Sequence, residues 1–308
     1  MNDILFAART EWTDRKLLLK RLFWTAAGSC ALGGLYFGRV PNAWLRVTRL
    51  EMPLPALPPV FEGLRLVHIS DLHASPIVLE RYLRQCIEHV NDLAPDFVAI
   101  TGDFVTGGTH YAKRIARILG GLEARIARVA CLGNHDYGIV HPRGHGHMRQ
   151  LPGYLSRRLF DAGVHVLRNQ HAIFRRAGHA IQFVGLEDLW SGLYDARAAF
   201  AEAHPHMPTI ALSHNPDSAP DLIARGAHWV LSGHTHGSAA GENPVRDAVF
   251  PVAQKHFFAG HYPLPAGHLY VNRGLSYARR LNLNKRPEIT VFTLRRTVES
   301  GEASVAAG

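Results

Sequence analysis

The regular alternation of short apolar runs with amphipathic segments constrains the fold of this chain more than any other feature. Seven runs of about six or seven residues are predicted to be strands, namely LRLVHIS, DFVAIT, ARVACLG, AIQFVGL, TIALSH, HWVLSG and HLYVN. Segments such as IVLERYLRQCIEHVN and YAKRIARILGGL carry apolar residues at three- and four-residue spacing, which is typical of helices buried on one face. Strands alternating with helices predict an α/β body whose sheets are largely covered.

Five polar blocks stand directly after predicted strands. They are Asp71-Leu72-His73, Gly102-Asp103, Gly133-Asn134-His135, Ser213-His214 and Gly233-His234-Thr235-His236. Because loops that leave neighbouring strand ends meet at one edge of a sheet, we expect these side chains to converge. Imidazoles and carboxylates bind divalent cations, and two cations about 3.5–4 Å apart are a common device for cleaving phosphoesters. Such a pair needs a carboxylate that bridges both ions, and Asp103 is the predicted bridge.

Each block alone is a weak signal, because a single aspartate after a strand is more often a turn or cap residue. The combination DLH, GD, GNHD, SHNPD and GHTHG, each beside glycine or serine, is what indicates a metal site. Gly102, Gly133 and Gly233 precede predicted ligands at points where a side chain would crowd the site. Asp136 is expected to cap a backbone amide, with orientation of His135 as the alternative.

These blocks resemble the signature of the calcineurin-like metallophosphoesterase superfamily from Ser70 to Gly237, with VNRGL downstream. The resemblance implies a fold of two packed β-sheets flanked by helices, with two divalent metal ions drawn from manganese, iron, zinc and magnesium, manganese being favoured. By position, it implies a first metal bound by Asp71, His73 and His236, a second bound by Asn134, His214 and His234, and Asp103 on both. It leaves His135 off the metals, as the group that donates a proton during the reaction.

The residues next to the motifs and the layout of the chain restrict the class of possible substrates. GDFVTGG stands where protein serine/threonine phosphatases have GDxVDRG, which argues against that branch. The overall layout is similar to membrane-associated bacterial phosphodiesterases, a branch related to UDP-2,3-diacylglucosamine pyrophosphatase. We therefore expect cleavage of a phosphodiester or pyrophosphate bond in a phosphorylated, lipid-linked small molecule. Ser238, Ala239 and Ala240 replace the Gly and Gln that often follow GHTHG in this branch, so substrate contacts there stay open.

Two alternatives remain open at this point. A general phosphodiesterase or nuclease acting on soluble substrates is favoured by the formal charge of +9, although we do not expect nucleic acid as the substrate. A non-catalytic membrane scaffold could retain the fold without the chemistry. No feature of the sequence indicates a protein partner.

Residues 22–38 contain no charged side chain and are bracketed by Arg21 and Arg39. Seventeen helical residues span about 25 Å, close to the roughly 30 Å of a bilayer core. The sequence predicts an apolar amino-terminal helix, a membrane anchor or signal-like segment, over 1–40, with a buried core helix as the alternative. The cations upstream place the amino terminus in the cytoplasm and the catalytic body outside the inner membrane.

A proline-rich tether is predicted over 41–63, followed by the catalytic domain over 64–298 and a flexible tail over 299–308. Within the tether, VTRLEMP is expected to add a strand to a sheet edge. Cys30, Cys86 and Cys131 are expected to be small apolar side chains rather than a disulfide or zinc framework.

Several further residues are candidates for substrate contact. Arg273 and Arg143 are expected to meet a phosphate group. The histidines of loop 141–149 are expected to form a polar loop rather than a third metal site, since no carboxylate accompanies them. The aromatic stretch 248–268 is either a packed loop or a lid over acyl chains.

Overall fold

The structure, a computed structural model, describes residues 20–21, 23–25, 28, 45–141, 148–237, 257–276 and 286–297. The chain divides into two compact units, residues 1–44 and 45–308. The described residues of the first unit are helical, and Thr25 Oγ1 donates a hydrogen bond to the carbonyl oxygen of Arg21. Within the described part of the chain, no helix combines the length and apolar character required to span a bilayer. Most of the predicted anchor lies outside the described residues.

Twelve strands occur among the described residues of the second unit, arranged as two six-stranded sheets. In spatial order, the first sheet contains β1 Arg46–Leu54, β12 Glu288–Arg296, β2 Arg65–Ile69, β3 Phe97–Thr101, β4 Ala127–Cys131 and β5 His165–Val166. The second contains β10 Gly260–Leu264, β11 Gly267–Val271, β9 Trp229–Ser232, β8 Thr209–Leu212, β7 His179–Gly185 and β6 Gln170–Arg176. The seven predicted strands correspond to β2, β3, β4, β7, β8, β9 and β11, and each is confirmed.

Helices cover the outer face of each sheet. They are α1 Glu80–Asp92, α2 Thr109–Leu119, α3 Leu151–Asp161, α4 Ala196–Phe200 and α5 Ala219–Ala224. Leu83, Ile87 and Val90 of α1 recur at helical spacing and are fully or almost fully buried against the first sheet. Short α4 and α5 pack in the same way on the second sheet.

The inner faces of the two sheets enclose a separate apolar core. Leu66, Phe97 and Val129 come from the first sheet and meet Phe183, Ile210 and Trp229 from the second. Each such side chain contributes about 1.5–3 kcal/mol by leaving water. This layering confirms the predicted α/β fold of two packed sheets flanked by helices.

The segment before β2 takes part in this core. β1 pairs in parallel with β12, from Arg46 opposite Glu288 to Leu54 opposite Arg296, so the predicted VTRLEMP strand is confirmed. Met52, Leu54 and Phe61 are buried between the sheets. The proline-containing segment 46–63 therefore first runs as an edge strand and then, through the short helix Pro59–Phe61, reaches the start of β2.

Strand direction sets the position of the polar blocks. β2, β3 and β4 run parallel in the first sheet, and β7, β8 and β9 run parallel in the second. Their carboxyl ends therefore lie at the same edge of each sheet. Each of the five polar blocks leaves one of these strand ends.

Candidate metal centre

The structure brings the predicted ligands into one buried cluster. Three overlapping groups offer donor atoms within 4.8 Å of one another: Asp71, His73 and His236; His73, Asp103 and His135; and Asp71, Asp103 and His214. Every member of these groups is largely or fully buried, which is unusual for charged side chains unless they are paired or bind a cation.

The spacing within the first group matches shared coordination. The Nε2 atoms of His73 and His236 lie 3.1 Å apart, and Asp71 Oδ1 lies 3.7 Å and 3.4 Å from them. Ligand atoms about 2.0–2.2 Å from one cation lie roughly 3.0–3.6 Å apart in octahedral or tetrahedral coordination. These three side chains therefore fit a single divalent ion.

A second group lies beside the first. Asn134 Nδ2 donates to the carbonyl oxygen of Ile139, which turns Oδ1 toward His234 Nδ1 at 3.0 Å. The rings of His214 and His234 meet edge to face with centroids 5.1 Å apart. Asn134 and His214 are thus both held against His234.

Asp103 lies between the two groups. Its Oδ2 atom is 3.4 Å from His73 Nε2 and 3.2 Å from His214 Nε2, while Oδ1 accepts a hydrogen bond from the backbone amide of His135. One carboxylate oxygen therefore faces ligands of both groups, as a bridge requires. The ring of His135 packs edge to face against His73 at 5.0 Å.

The hydrogen bonding of His214 is compatible with metal binding through Nε2. Its Nδ1 lies 2.7 Å from the carbonyl oxygen of Thr101, and because a carbonyl only accepts, Nδ1 carries the proton. In the neutral ring, the lone pair of Nε2 then faces the carboxylate of Asp103. A divalent cation would take both atoms as ligands and would remove this repulsion.

Without a bound cation, the electrostatics of the cluster favour an ionised Asp103 beside a protonated His214. Burial favours protonation of Asp103, but the neighbouring His214, His135 and His73 hold its pKa well below the usual range. Burial likewise disfavours charge on His214, yet Asp103 outweighs it and raises the pKa of this imidazole well above its ordinary value. The carboxylate of Asp103 thus stays ionised and attracts positive charge, which a protonated His214 or a bound cation supplies.

Backbone strain is concentrated on the same residues. Nine described residues other than glycine have a positive φ, and five of them are predicted ligands: Asp71, His73, Asp103, His234 and His236. This conformation costs about 1–3 kcal/mol per residue and persists only where surrounding contacts enforce it. Here the amide of Asp71 donates to Gly102 and that of His73 to Asp103. Strain at so many adjacent positions indicates a site selected for function.

Substitution of Gly102 provides a test of how tightly these loops are packed. An added Cβ would lie 2.5 Å from the amide nitrogen of Gly133 and 2.8 Å from His214 Nδ1, at a φ of +74°. We expect Gly102→Ala to lower the free energy of unfolding by about 2–5 kcal/mol and to abolish activity. Gly178→Ala is the matched control, because its φ is +80° but no atom lies within 4 Å of the added Cβ. Equal destabilisation of both variants in urea unfolding would contradict the crowding.

A sixth strand end, absent from the predicted site, also reaches the cluster. After β7, Asp188 Oδ1 accepts from the amide of Trp190, and the Trp190 ring packs edge to face on His234 at 4.5 Å. Burial raises the pKa of Asp188 to about 7. Glu187, next to it, accepts hydrogen bonds from Tyr137 and Arg168. The GLEDLW block follows the predicted strand AIQFVGL in the same way as the five predicted polar blocks follow their strands. The position of Glu187 and Asp188 after a strand end could therefore have indicated this part of the site.

Smaller predictions have mixed outcomes. Asp136 accepts hydrogen bonds from the amides of Gly133 and Val105, so its capping role is confirmed. Arg273 lies against Gly237, and its guanidinium is 3.4 Å from the buried carboxylate of Glu288. Its contact with a phosphate group stays a prediction. Cys86 and Cys131 are buried free thiols within the apolar cores. Arg143, Cys30, most of loop 141–149 and residues 248–256 lie outside the described residues.

Comparison with known proteins identifies the family. A family model described as calcineurin-like phosphoesterase matches residues 64–238. The chain is 31% identical to the UDP-2,3-diacylglucosamine pyrophosphatase LpxG of Chlamydia trachomatis, covering 82% of this chain and 89% of that protein. It is 30% identical to the uncharacterized metallophosphoesterase YkuE of Bacillus subtilis, covering 92% and 98%. It is 29% identical to the phosphodiesterase YaeI of Escherichia coli, covering 75% and 82%. The chain thus belongs to the calcineurin-like phosphoesterase family and is a metal-dependent phosphoester hydrolase.

Proposed function

We propose that this chain hydrolyses a phosphodiester or pyrophosphate bond in a lipid-linked substrate, with UDP-2,3-diacylglucosamine as the leading candidate. The observation that carries the hydrolytic chemistry is the position of Asp103 Oδ2 between His73 and His214, and the similarity to the pyrophosphatase LpxG supports the choice of substrate. It supports a centre for two cations, in which Asp71, His73 and His236 hold one and Asn134, His214 and His234 hold the other. Manganese is the favoured ion, and all the ligand atoms are oxygen or imidazole nitrogen.

Two divalent cations held by these residues would supply Lewis-acid stabilisation of the phosphoryl charge and would activate a water molecule. The protein contributes their placement and a proton donor. The His135 ring is fixed beside His73, and its backbone amide is tied to Asp103, so it stands next to the reacting group without being needed as a ligand. In this position His135 donates a proton to the leaving oxygen as negative charge develops there.

An apolar rim supports an amphiphilic substrate. We define it as the exposed large hydrophobic residues on loops around the cluster: Ile77, Leu79, Val140, Met148, Leu193 and Phe258. Ile77 is 64% exposed and follows the Asp71 block, while Leu193 is 54% exposed and follows Trp190. Phe258 joins the rim because its carbonyl oxygen accepts from Thr235 Oγ1, between His234 and His236. Such residues around a charged site suit a molecule with a phosphorylated head and acyl chains.

The proposal is tested by incubating the full chain with manganese and UDP-2,3-diacylglucosamine. Cleavage of the pyrophosphate bond yields two phosphomonoesters, one with the uridine and one with the acylated sugar, and both are resolved by mass spectrometry. Bis-p-nitrophenyl phosphate and a glycerophosphodiester serve as soluble comparisons. Rapid turnover of the soluble diesters with none of the acylated substrate would refute the lipid-linked substrate and favour a general phosphodiesterase.

The apolar rim makes a separate prediction. We expect Leu193→Ser/Phe258→Ser to lower kcat/KM for the acylated substrate by about tenfold, because the two serines together remove about 1.4 kcal/mol of apolar contact with the chains. Turnover of bis-p-nitrophenyl phosphate should be unchanged. Phe160→Ser is the control, since this ring is 66% exposed near the end of α3, which leads away from the cluster. Equal losses on both substrates would show that the rim supports the metal centre instead.

We further propose that residues 1–40 attach the enzyme to the inner membrane, with the catalytic body on the outer face. The uncharged run 22–38 between flanking cations supports this proposal. Deletion of residues 1–40 is expected to move the protein from washed membranes to the supernatant, as followed by immunoblotting of fractions. Continued sedimentation of the shortened protein with membranes would show that the body itself binds lipid.

A further inference from the structure

A cavity lined by arginines lies away from the metal centre. Its volume is about 610 Å³, within the range of about 300–1,000 Å³ that is usual for small-molecule sites. The side chains relevant here are Leu64, Arg65, Asp96, Arg125, Arg175 and Arg176. Four cationic residues and one carboxylate thus share one concave surface.

Strand direction places this cavity at the sheet edges opposite the metal centre. Arg65 begins β2, Asp96 directly precedes β3, and Arg125 lies just before β4. Because β6 runs antiparallel to β7, Arg175 and Arg176 at its end lie beside the amino end of β7. At about 3.3 Å per strand residue, the six residues from Arg65 to Asp71 span roughly 20 Å. A ligand in the cavity would therefore not reach the reacting group.

The single lining carboxylate is already engaged. Asp96 Oδ1 lies 3.1 Å from Arg125 Nε, and Oδ2 accepts from the amide of Arg65. Glu62, beside the cavity in sequence, accepts from Arg295 Nη1 and from the amide of Arg296. Among residues 45–141, 148–237, 257–276 and 286–297, the salt bridges include none to Arg65, Arg175 or Arg176. Three guanidinium groups are thus left without a carboxylate partner from the described chain.

We propose that this cavity binds a phosphate-bearing anion at a site separate from the metal centre. A guanidinium group offers a planar fork of donors that matches two phosphate oxygens, and several such groups favour more than one negative charge. The open side of the cavity is formed by exposed Arg175 and Arg176, while Leu64 contributes an apolar wall. A phospholipid head group and a soluble diphosphate present the same chemistry to these residues.

The test compares charge-matched variants of the full chain loaded with manganese. Arg175→Gln/Arg176→Gln removes two cavity cations, and Arg157→Gln/Arg197→Gln removes two exposed cations from α3 and α4. Titration calorimetry with methylenediphosphonate, which is not hydrolysed, should detect the metal centre and a second site in the control. The cavity variant should lose the second site or bind there about tenfold more weakly. Arg65→Gln is expected to give the same result, and unchanged hydrolysis of bis-p-nitrophenyl phosphate verifies folding.

A second measurement distinguishes the two sources of phosphate. Vesicles of phosphatidylcholine are compared with vesicles that also contain phosphatidylglycerol, using sedimentation of the same proteins. A loss of binding to the anionic vesicles that is confined to the cavity variants identifies a lipid head group, and a loss confined to methylenediphosphonate identifies a soluble ligand. Both results support the site. Equal binding by cavity and control variants in both measurements would overturn it, whatever the catalytic substrate proves to be.

Discussion

Replacing Asp103 with asparagine is expected to lower kcat/KM for bis-p-nitrophenyl phosphate by at least about a thousandfold without unfolding the protein. The carboxylate faces His73 and His214 with one oxygen, and its negative charge is what allows two cations to lie close together. The amide has nearly the same shape but no charge. Steady-state kinetics and manganese content, measured by elemental analysis at saturating metal, report the two consequences separately.

The control for this variant is Asp96→Asn. Asp96 is also buried and hydrogen-bonded to a backbone amide, but it lies at the opposite sheet edge. Its replacement should leave activity within about twofold while lowering stability by about 1–3 kcal/mol, because only a structural hydrogen bond and the ion pair with Arg125 are affected. Near-normal turnover by Asp103→Asn with two bound manganese ions would rule out the bridging role.

Replacing His135 with asparagine is expected to lower kcat by about 10²- to 10⁴-fold for a substrate with a poor leaving group. The loss should be much smaller for bis-p-nitrophenyl phosphate, because p-nitrophenolate departs without a proton. The metal content should be unchanged if His135 acts as the proton donor, because the seven predicted ligands are intact. A glycerophosphodiester and bis-p-nitrophenyl phosphate, assayed side by side, provide the comparison.

His165→Asn is the control for a general effect of losing a histidine. His165 is exposed at the first position of β5, opposite Val129 of β4, and not at a strand end that carries the cluster. It should leave both substrates unaffected. An equal loss of activity on both diesters in His135→Asn, accompanied by loss of one manganese ion, would instead make His135 a ligand. That outcome is meaningful because one of its ring nitrogens lies within 4.8 Å of donor atoms of His73 and Asp103.

Much of the fold could be predicted because most of its strands are short, apolar and buried on both faces. β3, for example, is buried along its whole length and appears in the sequence as the unbroken run FVAIT. The strands β5, β6 and β10, which the sequence did not predict, are partly exposed or only two residues long, so no clear pattern marks them. β12 is different, since its β-branched run was visible in the sequence and was overlooked.

The candidate site was predictable in its membership but not in its arrangement. Asp71, Asp103 and His214 could be chosen because each follows a strand in a polar block beside glycine or serine. Nothing local shows that Asp103 directs one oxygen to both groups and the other to the amide of His135. The polar residues of the GLEDLW block follow a predicted strand, but the contact of Trp190 with His234 depends on how the two loops fold together.

The α/β class, the strand ends that carry the chemistry and the residue types able to hold divalent cations could all be inferred from the amino-acid sequence. These properties depend on side-chain periodicity and on local glycine-containing turns, which operate over a few neighbouring residues. Which donor atoms face one another could be seen only in the three-dimensional structure. The same is true of the meeting of Arg65, Arg125 and Arg175 around one cavity. Contacts of that kind depend on which strands pair and in what register, and pairing between distant segments is set by packing of the whole core rather than by any local pattern.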